Sequence, residues 1–145
     1  MQLLLDTLSF LWLIHDDPRL GPQGRRLLQQ ADVVLLSAAS LWQLAERNAS
    51  GHPEAPTASA ALHWAEASGL QLLPIHTSHL LQLEQLPPQH PPADRLLLAQ
   101  AIATPLTLVS PNHSLRGHGC WVVDPRHRAR APTAPRVAAV PSAPR

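Results

Sequence analysis

The chain opens Met1-Gln2-Leu3-Leu4-Leu5-Asp6-Thr7, and this stretch constrains the fold more than any other. Three consecutive leucines are too short a run for a helix and are closed at once by an acid. They predict a strand buried on both faces that delivers Asp6 at its C-terminal end. In an open α/β sheet the carboxyl ends of the strands are where ligands bind. A second acid, Asp94, opens a strongly apolar helical run, and between the two lies Ser40-Leu41-Trp42-Gln43, the start of another helix. If these helix starts meet the end of the first strand, two carboxylates and an amide converge in one cleft. Carboxylates on rigid elements are how proteins hold magnesium or manganese.

Strand and helix patterns alternate along the body, which predicts a parallel sheet covered by helices. Leu8 to Ile14 reads as a short buried helix stopped by His15-Asp16-Asp17-Pro18, and Pro22 as the first residue of a second helix. Val33-Val34-Leu35-Leu36 is the second strand, with Ser37 to Ser40 as its connection. Ser40 is expected to cap the next helix in a reciprocal box with Gln43. Residues 48–56 form a loop, and Thr57 to Ser68 a helix with Leu62 and Ala65 inward, closed by Gly69. A third strand covers 70–75, and the helix after it turns Leu80, Leu81 and Leu83 to the core. A long helix follows Asp94, Leu106 to Val109 is the fourth strand, and Cys120 to Val123 is a short fifth strand at the sheet edge.

Length and charge bound the rest. At 145 residues the chain supports one domain, burying roughly two-thirds of the surface of its unfolded form. With aromatics at 3% and no Tyr, the core must come from Leu, Ala, Val and Ile. Residues 1–125 hold six Arg and ten acids, 6 − 10 = −4, whereas 126–145 hold five Arg and no acid, +5. The domain is therefore expected over 1–124, and 125–145 as a disordered Arg/Pro/Ala-rich tail that either drifts in solvent or adds sequence-blind phosphate contacts. The single Cys120 allows no disulfide within the chain. Asp6 interrupts the opening apolar run and no apolar stretch reaches membrane-span length, so neither a signal peptide nor a membrane helix is expected. A cytoplasmic protein follows as the expectation. Nine histidines invite a zinc reading, but the spacing of His76, His79, His90 and His113 matches no zinc pattern, and surface or loop positions account for them.

Several segments together carry a family resemblance: Leu4-Leu5-Asp6-Thr7, Ser37 to Trp42, Leu86-Pro87-Pro88, Asp94-Arg95-Leu96-Leu97-Leu98-Ala99-Gln100-Ala101, and Leu106 to Ser110. In this order and spacing, over residues 1 to 124, the chain resembles PIN-domain proteins of the VapC toxin type. The resemblance implies a three-layer α/β/α fold with a central, mostly parallel sheet of about five strands. It also implies a Mg²⁺- (or Mn²⁺-) dependent ribonuclease acting on RNA, restrained by a cognate antitoxin protein and commonly assembled as a homodimer.

The same resemblance assigns the site. Asp6 and Asp94 would be the metal carboxylates. Gln43 stands where the family usually carries Glu, and Asn112 resembles a further Asp position with its charge removed. Each lost carboxylate removes a charge that would hold the cation and orient the attacking water. Gln43, Asn112 and Ser110 would then act around the metal or position water or phosphate. Arg47 matches a basic position common in the family; it would serve phosphate or pair with a neighbouring acid. Glu46, one turn beyond Gln43, either reaches the cleft or is solvated. Two functions follow as alternatives: a weakened VapC-like ribonuclease, or a catalytically inactive PIN-like module that still binds antitoxin or RNA. The altered Pro91-Pro92-Ala93 loop, one residue short of the family pattern, favours the second.

Overall fold

The computed structural model describes residues 1–126. Five strands, β1 (Gln2–Leu5), β2 (Val33–Ser37), β3 (Gln71–Leu73), β4 (Thr107–Val109) and β5 (Val122–Val123), form one sheet in the order β3-β2-β1-β4-β5. Every pairing is parallel. Leu5 of the central strand pairs with Leu36 on one side and Val109 on the other, so the strand ends gather beside Asp6.

Six helices cover both faces: α1 (Thr7–Ile14), α2 (Pro22–Gln30), α3 (Ala38–Ala49), α4 (Ala58–Ala67), α5 (Thr77–Leu83) and α6 (Pro92–Ala103). The alternation of β1 explains the layering. Leu3 and Leu5 join Phe10, Leu36, Leu44, Ala61 and Ala65 in one core, while Leu4 points into a second core with Leu86, Leu97, Leu98 and Leu108. All three β1 leucines are fully buried, which a continuous apolar run in a doubly covered parallel strand requires. Leu, Ala and Val do most of the filling, with Phe10 the one bulky aromatic in the first core.

The helix boundaries follow local chemistry. Pro22 opens α2 after Gly21. Gly69, at φ 79, ends the segment after α4 in a left-handed conformation that costs glycine nothing. Two expectations fail here. Ser37, not Ser40, caps α3, because β2 runs one residue further and the Ser37 hydroxyl accepts from the Ala39 N–H at 2.9 Å. In α5, Leu80 and Leu81 are exposed and His79 is buried instead. A buried polar network sets that helix's rotation: the Gln100 amide and the His76 N–H both donate to His79 Nδ1, leaving Nε2–H to meet Thr104 Oγ1 at 2.8 Å. Burial, followed by the charge of His76, holds the His79 pKa below its ordinary value, in keeping with a neutral ring that accepts at one nitrogen and donates at the other. Surface or loop placement therefore does not account for His79, which is buried within α5; His90 is buried too, but in the loop before α6. In α4 the inward residues are Ala61 and Ala65, with Leu62 half-buried.

Ordered contacts continue past residue 124. Gly21 N–H donates to the Pro125 carbonyl at 3.3 Å, and Arg126 doubly engages the buried Asp124 carboxylate. The remainder of the expected tail, 127–145, lies outside the described residues. Among the described residues no helix is long and apolar enough to cross a membrane.

Candidate active site

Asp6 is where strand, helix and neighbouring strand meet. Its N–H continues the β ladder by donating to the Val109 carbonyl at 2.9 Å. Its side chain then caps α1, with Oδ1 accepting from the Ser9 N–H at 2.8 Å. An Asp directly before a helix commonly caps it, so one residue ends β1 and starts α1. Oδ2 accepts from the Ser110 hydroxyl at 2.6 Å. The carboxyl is only 5% exposed. Burial raises its pKa above the ordinary carboxylate value; the Ser110 and Ser9 hydrogen bonds oppose this, and the charge of Asp94 adds to it.

A polar chain connects the two acids. Ser110, fully buried at the end of β4, donates to Asp6 and accepts the Asn112 N–H at 3.1 Å. Asn112 Nδ2 in turn donates to Asp94 Oδ2 at 3.2 Å. The amide orientation is dictated by its other end, because Asn112 Oδ1 accepts the Ser114 N–H, an obligate donor, at 3.1 Å. Asn112 therefore presents a donor, not an oxygen, to the acid beside it. Asp94 stands half-buried in the first turn of α6, placed by Pro92 at the helix start.

Gln43 occupies a different position from the expected capping box. Ser40 lies inside α3 and accepts from the Thr7 hydroxyl at 2.9 Å, which ties the first turn of α3 to the start of α1. Released from Ser40, the Gln43 side chain leaves Oε1 buried with no hydrogen-bond partner among the described residues. Arg47 and Glu46 are exposed further along α3. Ser110, read from sequence as a water or phosphate ligand, has its hydroxyl turned onto Asp6 and closed off from solvent.

The model of the PIN domain family matches residues 3–117. The chain belongs to the PIN domain family. No curated protein matches it. Among solved structures, the PIN chain shares its fold with a chain of VapBC from Salmonella typhimurium bound to DNA, at 19% identity and TM-score 0.61, covering 86% of this chain and 98% of that one. It also aligns with a chain of VapBC2 from Rickettsia felis bound to a promoter DNA fragment, at 19% identity and TM-score 0.59, covering 79% and 90%. A chain of VapBC-1 from nontypeable Haemophilus influenzae aligns at 14% identity and TM-score 0.55, covering 79% and 90%.

In this PIN fold the donor set suits a hard divalent cation. Asp6 and Asp94, two carboxylates within mutual electrostatic reach and one of them buried, are the oxygen donors such a cation takes, and among the described residues neither forms an ion pair; the buried Gln43 Oε1, one helical turn past the Ser40–Thr7 contact, has no hydrogen-bond partner there either. Sequence reasoning missed the capping role of Asp6 and the Thr7–Ser40 bond. An acid between an apolar strand and an apolar helix was a visible signal for the first; the second joins residues 33 apart and left none.

Proposed function

We propose that this PIN domain is a VapC-type toxin nuclease that hydrolyses RNA phosphodiester bonds with Mg²⁺ or Mn²⁺. The observation that carries the reading is the linkage of Asp6 to Asp94 through Ser110 and Asn112 at the C-terminal end of the sheet. Asp6 and Asp94 would hold the cation, which supplies Lewis acidity and a more acidic bound water. Ser110 positions the Asp6 carboxylate, Asn112 positions Asp94, and the free Gln43 oxygen faces the task of a neutral ligand or water acceptor. Arg47, at the exposed end of α3, is the candidate phosphate contact. A cognate antitoxin is the proposed partner, supported by the VapBC assemblies that share the fold. A homodimer is supported by the exposed Leu72 on β3, Ile75 on the connection after it, and Leu80 and Leu81 on α5. A cytoplasmic location accompanies this reading.

A second reading is favoured by one specific observation. The Asn112 amide already uses an Asp94 lone pair, and Gln43 adds no charge, so the site holds two carboxylates and no more among these four positions. On that reading the chain is an inactive PIN module that binds antitoxin or RNA. Incubating a mixed RNA with purified protein, with Mg²⁺ or Mn²⁺ and with EDTA, beside Asp6→Asn, separates the two. Metal-dependent cleavage that vanishes in the variant supports the nuclease; a folded wild type that binds RNA without cutting it supports the module.

A further inference from the structure

Three fully buried polar side chains, Ser37, His79 and Gln100, join the end of β2 to α5 and α6. The Ser37 hydroxyl caps α3 by accepting from the Ala39 N–H and donates to Gln100 Oε1. Gln100 Nε2 lies 3.2 Å from the Pro74 carbonyl and 3.3 Å from His79 Nδ1. His79 Nδ1 also accepts the His76 N–H at 3.0 Å, which caps α5.

One arrangement of protons satisfies this network. The Pro74 carbonyl can only accept, so Gln100 turns its NH₂ towards it and its oxygen towards Ser37. The same NH₂ and the His76 N–H then both aim at Nδ1, which must carry a lone pair, and the ring's proton sits on Nε2 facing Thr104 Oγ1. A second proton has to enter at Nδ1, where it would meet two N–H donors and no acceptor. Among the described residues no negative charge faces it. His76 is itself a potential cation, with ring centroids 5.2 Å apart. Asp94 and Arg95, the charged residues of α6, sit near the start of that helix, where Arg95 holds the Leu83 and Leu86 carbonyls. Glu84 is exposed beyond the end of α5, and β2 and β3 carry no charge.

We propose that His79 and Gln100 form an acid-opened lock that fastens α5 and α6 to the cap of α3, closed while the His79 ring is neutral and released when it gains a proton. The lock joins the two helices that carry Asp94 and Gln43, so its opening loosens both; it stands independently of the nuclease reading. Burial lowers the pKa of the closed form, so the stability supplied by the neutral ring is fully present above the ordinary 6.5 and is lost as pH falls from there through the lowered value.

The test is amide hydrogen exchange of the full chain over a pH series, with nitrogen NMR of the histidine rings. Corrected for intrinsic exchange rates, protection of the α5 amides in wild type should fall by up to ~10-fold per pH unit below the ordinary 6.5. His79→Asn, whose amide oxygen can replace Nδ1 without titrating, should lose that dependence whatever its absolute stability. His76→Gln, which keeps the backbone N–H, should retain it. In wild type the His79 ring should be neutral with its proton on Nε2. Equal falls in wild type and His79→Asn, or α5 protection in wild type that ignores pH, would overturn the proposal. So would an Nδ1–H tautomer of His79 in wild type, a result that needs no variant to fold.

Discussion

Burial of a single carboxyl sets how the site responds to pH. Asp6 has a folded pKa raised above its ordinary 3.8. Its contribution to stability is therefore fully present below that value and is lost as pH rises through the raised one. At neutral pH the ionised group weighs against folding, so Asp6→Asn should unfold at higher denaturant than wild type in EDTA, with the gap closing in acid; equilibrium unfolding at several pH values measures this. Ser110→Ala acts in the opposite direction. It removes the hydroxyl donor from a buried carboxylate and the acceptor of the Asn112 N–H, and should cost about 1.5–3 kcal/mol by the same measurement. Gln43→Glu adds a third carboxylate at the orphaned amide position. The variant should be less stable than wild type in EDTA and cleave RNA faster in Mg²⁺; a variant that cleaves no faster would show that this amide is not what limits the rate.

At the scale of elements, the end of the domain is pinned onto α2 rather than left at residue 124. A Cβ on Gly24 would lie 2.3 Å from the Pro125 carbonyl oxygen, so backbone packs directly on the helix there. Gly24→Ala, which would ordinarily favour a helix, should instead destabilise by roughly 1–3 kcal/mol, as overpacking against backbone does. Asp124 completes the attachment. Burial raises its pKa, but the hydrogen bonds from Arg126 and His113 overcome this and hold it well below the usual carboxylate range. The resulting stability is present above the ordinary 3.8 and lost as pH falls towards the lowered value. Arg126→Ala should therefore flatten the acid limb of the pH–stability curve followed by circular dichroism. On α5, Leu80 and Leu81, expected in the core, lie outside because His79 and Gln100 provide the buried partners, whereas Leu83 packs against the core as expected.

For the molecule as a whole, the site joins elements from both halves of the chain: β1, α1, β4 and α6 must all be in place for Asp6, Ser110, Asn112 and Asp94 to connect. A cation bound there would favour only the folded state. At a hundred times its dissociation constant it should add about 2.7 kcal/mol, lost in Asp6→Asn and Asp94→Asn. Calorimetric melting in Mg²⁺ against EDTA reads this directly, and an equal shift in all three proteins would place the cation elsewhere.

The sequence by itself determined the strand that carries Asp6, the alternation that makes a parallel sheet, the proline start of α2, the glycine end after α4 and Asp94 in the first turn of α6. Each depends on residues within a few positions of one another, where apolar periodicity and backbone restriction act directly. Only the tertiary structure decided which serine caps α3, which face of α5 is buried, that Ser110 serves Asp6 rather than solvent, and that Asn112 presents its amide donor to Asp94. These depend on hydrogen bonds between groups whose separation in sequence carries no period. Their geometry exists only after the two cores have closed on opposite faces of the sheet.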